Sequence, residues 1–194
     1  ADLFRTGQFS VVKRDDMLSS PRQMSEVFYR DWRALGVDYL LVGRLVPSSD
    51  QLVAQFELFD VYGEKRILSG SESSSGSNPR GVAHHVSDRV YEKITGIRGA
   101  FSTRIMYVSA VKQGVAKYKY RLLLADVDGA RESVILAQDQ PILTPAWAPD
   151  GETIAYVSFE TTRPAIFMHN LRTGKRDQLT NFQGLNGAPA WSPD

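Results

Sequence analysis

The sequence predicts a chain in two parts, an α/β region followed by an all-β region, and three observations carry that reading. Residues 1–95 alternate between helical and strand periodicity. From residue 100 onward no helical periodicity survives, and short apolar runs are separated by turn residues. Within that second region a phrase is written twice: Pro145-Ala146-Trp147-Ala148-Pro149-Asp150-Gly151 returns as Pro189-Ala190-Trp191-Ser192-Pro193-Asp194. The two tryptophans lie 44 residues apart, inside the ~40–45-residue period of a four-stranded propeller blade.

In the first region, Ser20-Pro21-Arg22-Gln23 reads as a helix start: Ser20 caps, Pro21 takes the first helical position and Gln23 closes a capping box. Met24, Val27, Phe28, Trp32 and Leu35 follow at spacings of three and four, which makes one apolar stripe. Gly36 is placed to end that helix in a left-handed conformation. The near-continuous apolar run 37–46 predicts a strand buried on both faces. After the turn cluster Pro47-Ser48-Ser49-Asp50, residues 52–61 form the next strand, with Leu52, Ala54, Phe56 and Leu58 on one face. A Tyr62-Gly63 turn leads to a third strand over 65–70, so the three runs form an antiparallel meander.

Glu72 to Ser77 reads as a polar loop. Asn78-Pro79 starts a second helix, with a cap and a proline at the first position. Val82, Val86, Val90 and Ile94 recur every four residues and pack that helix on the sheet. The expectation is an α/β domain over residues 1–95, a mixed sheet with two or more helices, and a linker over 96–99.

Residues 100–194 hold strands expected at 105–109, 118–127, 134–136, 154–159, 166–171 and 177–179. A partial third copy of the repeat is present: Arg104 to Ser109 matches Thr153 to Ser158 at four of six positions. That copy lacks the tryptophan phrase ahead of it. If the phrase forms the innermost strand of a blade, the first blade has only its outer three. The missing strand would then come from the distant C-terminal end of a longer chain, closing a ring. About one and a half blades are expected here.

Each element of the phrase has a structural task. Asp150-Gly151 is a two-residue type I′ hairpin signal, and Pro149 ends the preceding ladder. Trp147 is large enough to fill the wedge between neighbouring blades, with its indole N–H free to find an acceptor. The competing reading is that the tryptophans stack on a ligand; repetition favours the structural one.

Composition removes several function classes. The net charge is +1, with 23 basic and 22 acidic residues well mixed, so the chain as a whole has no electrostatic footprint for a nucleic-acid backbone or an anionic membrane surface. The absence of cysteine excludes disulfides, thiolate metal sites and a cysteine nucleophile. No window approaches the ~20 apolar residues of a membrane-spanning helix. Ala1 to Arg5 lacks the basic head and apolar stretch of a signal peptide, although a cleaved signal leaves the same picture.

His84, His85 and His169 are the only histidines. Neighbouring helix positions point ~100° apart, so His84 and His85 read as partly exposed helix residues and not as a metal site. Lys117-Tyr118-Lys119-Tyr120-Arg121 mixes basic and aromatic residues as a nucleic-acid binder does. It reads better as an amphipathic strand with Tyr118, Tyr120 and Leu122 inward. The serine-rich stretch 71–77 lacks the glycine spacing and lysine of a phosphate loop. No Gly-x-Ser-x-Gly elbow occurs. No catalytic, cofactor-binding or metal-ligating residue is assigned.

The passage Trp32-Arg33-Ala34-Leu35-Gly36-Val37-Asp38-Tyr39-Leu40-Leu41-Val42-Gly43, the linker Thr95-Gly96-Ile97-Arg98-Gly99-Ala100-Phe101 and the doubled repeat together resemble the TolB family of the Tol-Pal system of Gram-negative bacteria. The resemblance covers essentially the whole chain. It implies a periplasmic, non-catalytic protein with an N-terminal α/β domain and a six-bladed propeller. The propeller of the family binds the lipoprotein Pal, and an extreme N-terminal segment communicates with inner-membrane TolA. The system supports outer-membrane integrity and cell division, and colicins exploit it for import.

Both of those contact regions are expected to lie largely outside this chain, which begins inside what reads as a first helix and ends within a repeat. Prolyl-oligopeptidase-type serine hydrolases carry similar repeats. The alternative is therefore the non-catalytic propeller portion of such an enzyme, and the α/β domain ahead of the repeat favours TolB.

Overall fold

The computed structural model describes residues 1–48, 50–75 and 78–193. They form two compact units, Ala1–Thr103 and Arg104–Asp194.

The first unit opens on a short helix, α1 (Asp2–Arg5), and is built around one antiparallel sheet, β1 (Tyr39–Pro47), β2 (Gln51–Asp60) and β3 (Lys65–Ser75), in that order. Short turns join the strands, so every pairing is antiparallel. The mixed pairing expected of this sheet does not occur among the described residues. Because side chains alternate across a strand, β2 serves two cores. Ala54, Phe56 and Leu58 pack on one face against Val82, Val86 and Val90 of helix α3 (Pro79–Thr95). Phe59 packs on the other with Leu40, Val42, Val61 and Trp32, the buried residue of helix α2 (Tyr29–Ala34).

Helix α3 follows its sequence signals. The Asn78 side chain accepts from Gly81 N at 3.0 Å, Pro79 opens the first turn, and Gly96 closes the helix at φ +75°. Its four-residue valine stripe is buried against β2 and β3.

Three further expectations for this unit change. The helix expected from residue 20 is broken: a 3₁₀ turn occupies Met24–Glu26, and α2 begins only at Tyr29. Ser20 caps nothing, and the backbone N–H of Arg22 donates instead to the Glu26 carboxylate at 2.8 Å. Arg22, Gln23, Met24 and Glu26 are fair helix formers, but a segment this short gains little helix without an apolar face to bury. Burial of Trp32 holds only the last turns, while Phe28 of the expected stripe is 64% exposed. Gly36 still ends the helix, at φ +69°.

Strand β1 is buried on one face only. Leu40 and Val42 point into the core with Trp32, whereas Tyr39, Leu41 and Leu45 are exposed on the other face, because α3 packs over β2 and β3. The third change is in β3. The polar stretch expected to loop out after Gly70 continues as strand to Ser75, where Ser73, Ser74 and Ser75 pair with Val53, Leu52 and Gln51. A long partner strand offers ladder hydrogen bonds that override the weak strand preference of serine. Gly76 and Ser77, the rest of that stretch, lie outside the described residues.

The second unit contains two antiparallel sheets. One has three strands, β4 (Arg104–Gly114), β5 (Lys117–Asp126) and β6 (Ser133–Gln138). The other has four: β7 (Ile142–Trp147), β8 (Thr153–Thr161), β9 (Arg163–Asn170) and β10 (Arg176–Gln178). They share one core, in which Leu122, Ile142, Ile154, Tyr156 and Phe167 meet Met106, Val108, Leu136 and Trp147. Strand β7 carries the tryptophan phrase and forms one edge of its sheet. The three-stranded sheet starts at the counterpart of β8 and has no such strand.

Candidate functional site

The repeated phrase is where sequence and architecture meet. Thr144 at φ +43° and Pro145 interrupt the β7–β8 register between Leu143 and Ala146, where a proline without a donor is tolerated. Trp147 follows, half-buried in the core shared by the two sheets, with the Arg104 guanidinium of β4 over its ring at 5.3 Å. Arg104 also donates to the Gly151 carbonyl at 3.1 Å. The second tryptophan repeats the relation: Trp191 donates its indole N–H to the Ala146 carbonyl of β7 at 3.3 Å. Each tryptophan reaches back to the preceding sheet, so both serve packing between blades.

The turn after Trp147 corrects one expectation. β7 and β8 are joined by residues 148–152 and not by a two-residue type I′ turn. Gly151 N–H donates to the Ala148 carbonyl at 3.1 Å, and only Gly151, at φ +66°, is left-handed. That is a type I turn with Pro149 at its second position followed by a left-handed glycine. The Asp150 carboxylate accepts from Glu152 N, Thr153 N and Thr153 Oγ1 at 2.7–2.8 Å. These bonds, the Thr153 hydroxyl first, hold its pKa below the usual carboxylate value.

A second constellation lies on the four-stranded sheet. The Arg176 guanidinium sits over the Phe167 ring at 4.2 Å and the Tyr156 ring at 5.5 Å, and donates to the Tyr156 hydroxyl and the Glu160 carboxylate. Burial raises the Tyr156 pKa against the lowering effect of Arg176. Sequence reasoning missed this group because its members lie on β8, β9 and β10. Cross-strand register alone brings them together.

The linker is held, not slack. Phe101 N and Ser102 N donate to the Asp88 carboxylate of α3 at 2.6 and 3.1 Å. The Phe101 ring meets Tyr91 edge-on at 5.6 Å. Gly99 lies so close to the helix that a Cβ there would fall 2.4 Å from the Asp88 Cα, which only glycine permits. Beside this clamp a cleft of about 700 Å³ is lined by Glu72, His85, Arg89, Glu92, Arg98 and Thr103, among others. Arg89 is paired with Glu72 at 2.8 Å.

The histidines separate as helix geometry requires. His85 lines the cleft, whereas His84 is buried, contrary to the partly exposed placement expected, with Nδ1 2.8 Å from the Asp2 carboxylate. That partner is 82 residues away in sequence, too distant for any local pattern to reveal. His169 lies on β9, where burial and then Arg176 lower its pKa. Lys117 to Arg121 is strand, as expected, with Leu122 buried and Tyr120 against the core; Tyr118, expected inward, is 43% exposed. No helix of the described residues is long and apolar enough to cross a membrane.

Known proteins show the same arrangement. The family described as TolB amino-terminal domain matches residues 1–67, and the TolB beta propeller domain matches residues 91–194. The Tol-Pal system protein TolB of Pseudomonas putida is 51% identical over 189 residues, which is 97% of this chain and 44% of the relative. The chain belongs to the TolB family. The Tol-Pal system protein TolB of Pseudomonas fluorescens SBW25 is 49% identical over 189 residues, with the same coverage of 97% and 44%. The crystal structure of TolB from Acinetobacter baumannii matches with a TM-score of 0.89 at 39% identity, covering 99% of this chain and 47% of that one. The chain thus spans less than half the length of these TolB relatives. The amino-terminal match places it with TolB and leaves the propeller-gated hydrolase without support.

Proposed function

We propose that this chain is the portion of a non-catalytic, periplasmic Tol-Pal component that joins the α/β domain to the start of a partner-binding propeller. Its propeller would hold Pal, and its N-terminal side would communicate with TolA, in support of outer-membrane integrity, cell division and protein transport. Colicins would use the same surfaces for import. The observation that supports this best is the junction: an α/β unit whose linker is clamped by Asp88 and Gly99 to α3 and leads directly into β4, the first propeller strand. A scaffold of this kind works by presenting a rigid surface, and repeats stacked edge to edge supply one.

The domain boundaries proposed are 1–95, 96–99 and 100–194. No catalytic, cofactor or metal role is proposed for any residue. Pull-down of the intact protein with purified Pal tests the reading. Stable co-purification, with no hydrolysis of ester or peptide substrates by the same preparation, is the expected result. Failure to capture Pal at micromolar concentration would overturn it.

A further inference from the structure

We propose that the β4–β5 hairpin arm is a contact site for an anionic phospholipid surface, a role separate from the capture of protein partners. β6 accompanies β5 only as far as the Tyr120↔Gln138 pair. Beyond it the β4–β5 ladder continues alone through Val111↔Lys119, Lys112↔Tyr118 and Gly114↔Lys117. Every residue from Ala110 to Tyr118 is exposed. The arm is therefore an ordered two-stranded projection that supports no core.

Its chemistry is segregated from that of the rest of the chain. Between residues 104 and 125 the sequence holds five basic residues, Arg104, Lys112, Lys117, Lys119 and Arg121, and no acidic one, in a chain of net charge +1. Lys119 is paired with Asp139 at 2.9 Å. Lys112, Lys117 and Arg121 have no carboxylate partner among the described residues. At the tip, Val115 is 95% exposed, with Val111 at 47% and Tyr118 at 43% behind it. Ala116, at φ +58°, completes the turn that carries Val115.

An arm serving only solubility has no need of an apolar tip, and an arm docking on an acidic protein needs only the charges. The two features together suit an anionic bilayer surface. Each cation near such a surface raises affinity roughly fivefold. A tyrosine suits the headgroup level, and a small aliphatic tip can enter the acyl boundary.

The test is sedimentation of the intact protein with vesicles of equal parts phosphatidylcholine and phosphatidylglycerol, and with vesicles of phosphatidylcholine alone. Raising the ionic strength from about 0.01 M to about 0.15 M shortens the Debye length from about 30 Å to about 8 Å. We expect binding to the mixed vesicles at low salt, at least about tenfold weaker on phosphatidylcholine alone and weaker at high salt. The double change Lys112→Glu, Lys117→Glu should lower partitioning at least about tenfold, and Val115→Ser about threefold with an unchanged salt response. Lys112→Arg, Lys117→Arg should bind as the wild type. The same charge reversal at Lys65 and Lys93 should change binding less than about twofold.

All of these positions are exposed, and circular dichroism should match the wild type for each variant. Equal binding to both vesicle types overturns the proposal. So does wild-type partitioning by the Lys112→Glu, Lys117→Glu variant. Retention on polyglutamate resin without vesicle binding overturns it in favour of an acidic protein partner.

Discussion

The two sheets of the second unit are written in the same repeat and end in different environments. In the four-stranded sheet Ile154, Tyr156 and Ser158 are all fully buried. Their counterparts in the three-stranded sheet are not: Ile105 is 40% exposed, and Tyr107 and Ser109 are half-buried. Ser158 accepts from Gln138 and donates to Glu160, and Tyr156 meets Arg176. Tyr107 instead reaches out to the exposed Glu132. The difference is one strand. β7 lies along β8 and covers its edge, while β4, the counterpart of β8, has an open edge. Burial here belongs to the neighbours a residue receives, not to the residue.

That comparison can be broken first at the open edge. Residues 104–194 prepared alone should self-associate, because β4 leaves a row of backbone groups unpaired and carries the exposed Ile105 and Val111. Concentration-dependent light scattering is the measurement. A stable monomer with one cooperative unfolding transition would mean that the open edge of β4 matters little.

A substitution pair sharpens the contrast next. Tyr156→Ala should destabilise by about 3–5 kcal/mol, as large-to-small changes in cores do. Tyr107→Ala should cost about 1 kcal/mol. Denaturant unfolding followed by tryptophan fluorescence compares them; equal costs would show that the two sheets are equivalently packed after all. Smaller still, Arg104→Ala removes the cation over Trp147 and should cost about 0.5–1 kcal/mol, typical of an exposed cation–π contact.

The smallest effect is expected at Asp150, whose carboxylate is exposed. Its folded pKa is lowered, so its contribution to stability is present above the ordinary carboxylate range. It is lost as pH falls through the depressed folded value. Asp150→Asn should remove that part of the acid dependence while keeping an acceptor for Thr153. Melting temperature as a function of pH, from neutral to strongly acidic, reads it out. An unaltered acid limb in the variant would assign the effect to other carboxylates.

Much of this architecture was legible in local patterns. Asn78-Pro79 and the valine stripe marked α3 because capping and four-residue periodicity act within a few turns of chain. The doubled tryptophan phrase marked the blades, and its absence ahead of Arg104 marked a sheet of three strands. Helix α2 was overread because the stripe from Met24 to Leu35 records only spacing, and spacing does not say which of its residues find a core: Trp32 does and Phe28 does not. β1 was read as buried on both faces because an apolar run does not say which of its faces a neighbouring helix covers. The Asp150 turn was mistaken for a tight hairpin because Asp-Gly serves both a type I′ turn and a wider loop.

The sequence by itself determined the division into an α/β half and a repeating β half, the family and the blade period. These follow from periodicity and from residues that punctuate the chain locally. Only the tertiary structure decided which repeat copy is buried, that the Gly99 linker is clamped to Asp88, that His84 meets Asp2 across 82 residues, and that Arg176 stacks on Phe167. Such contacts join different elements of the chain. Their energies depend on distances that exist only once those elements have packed or paired.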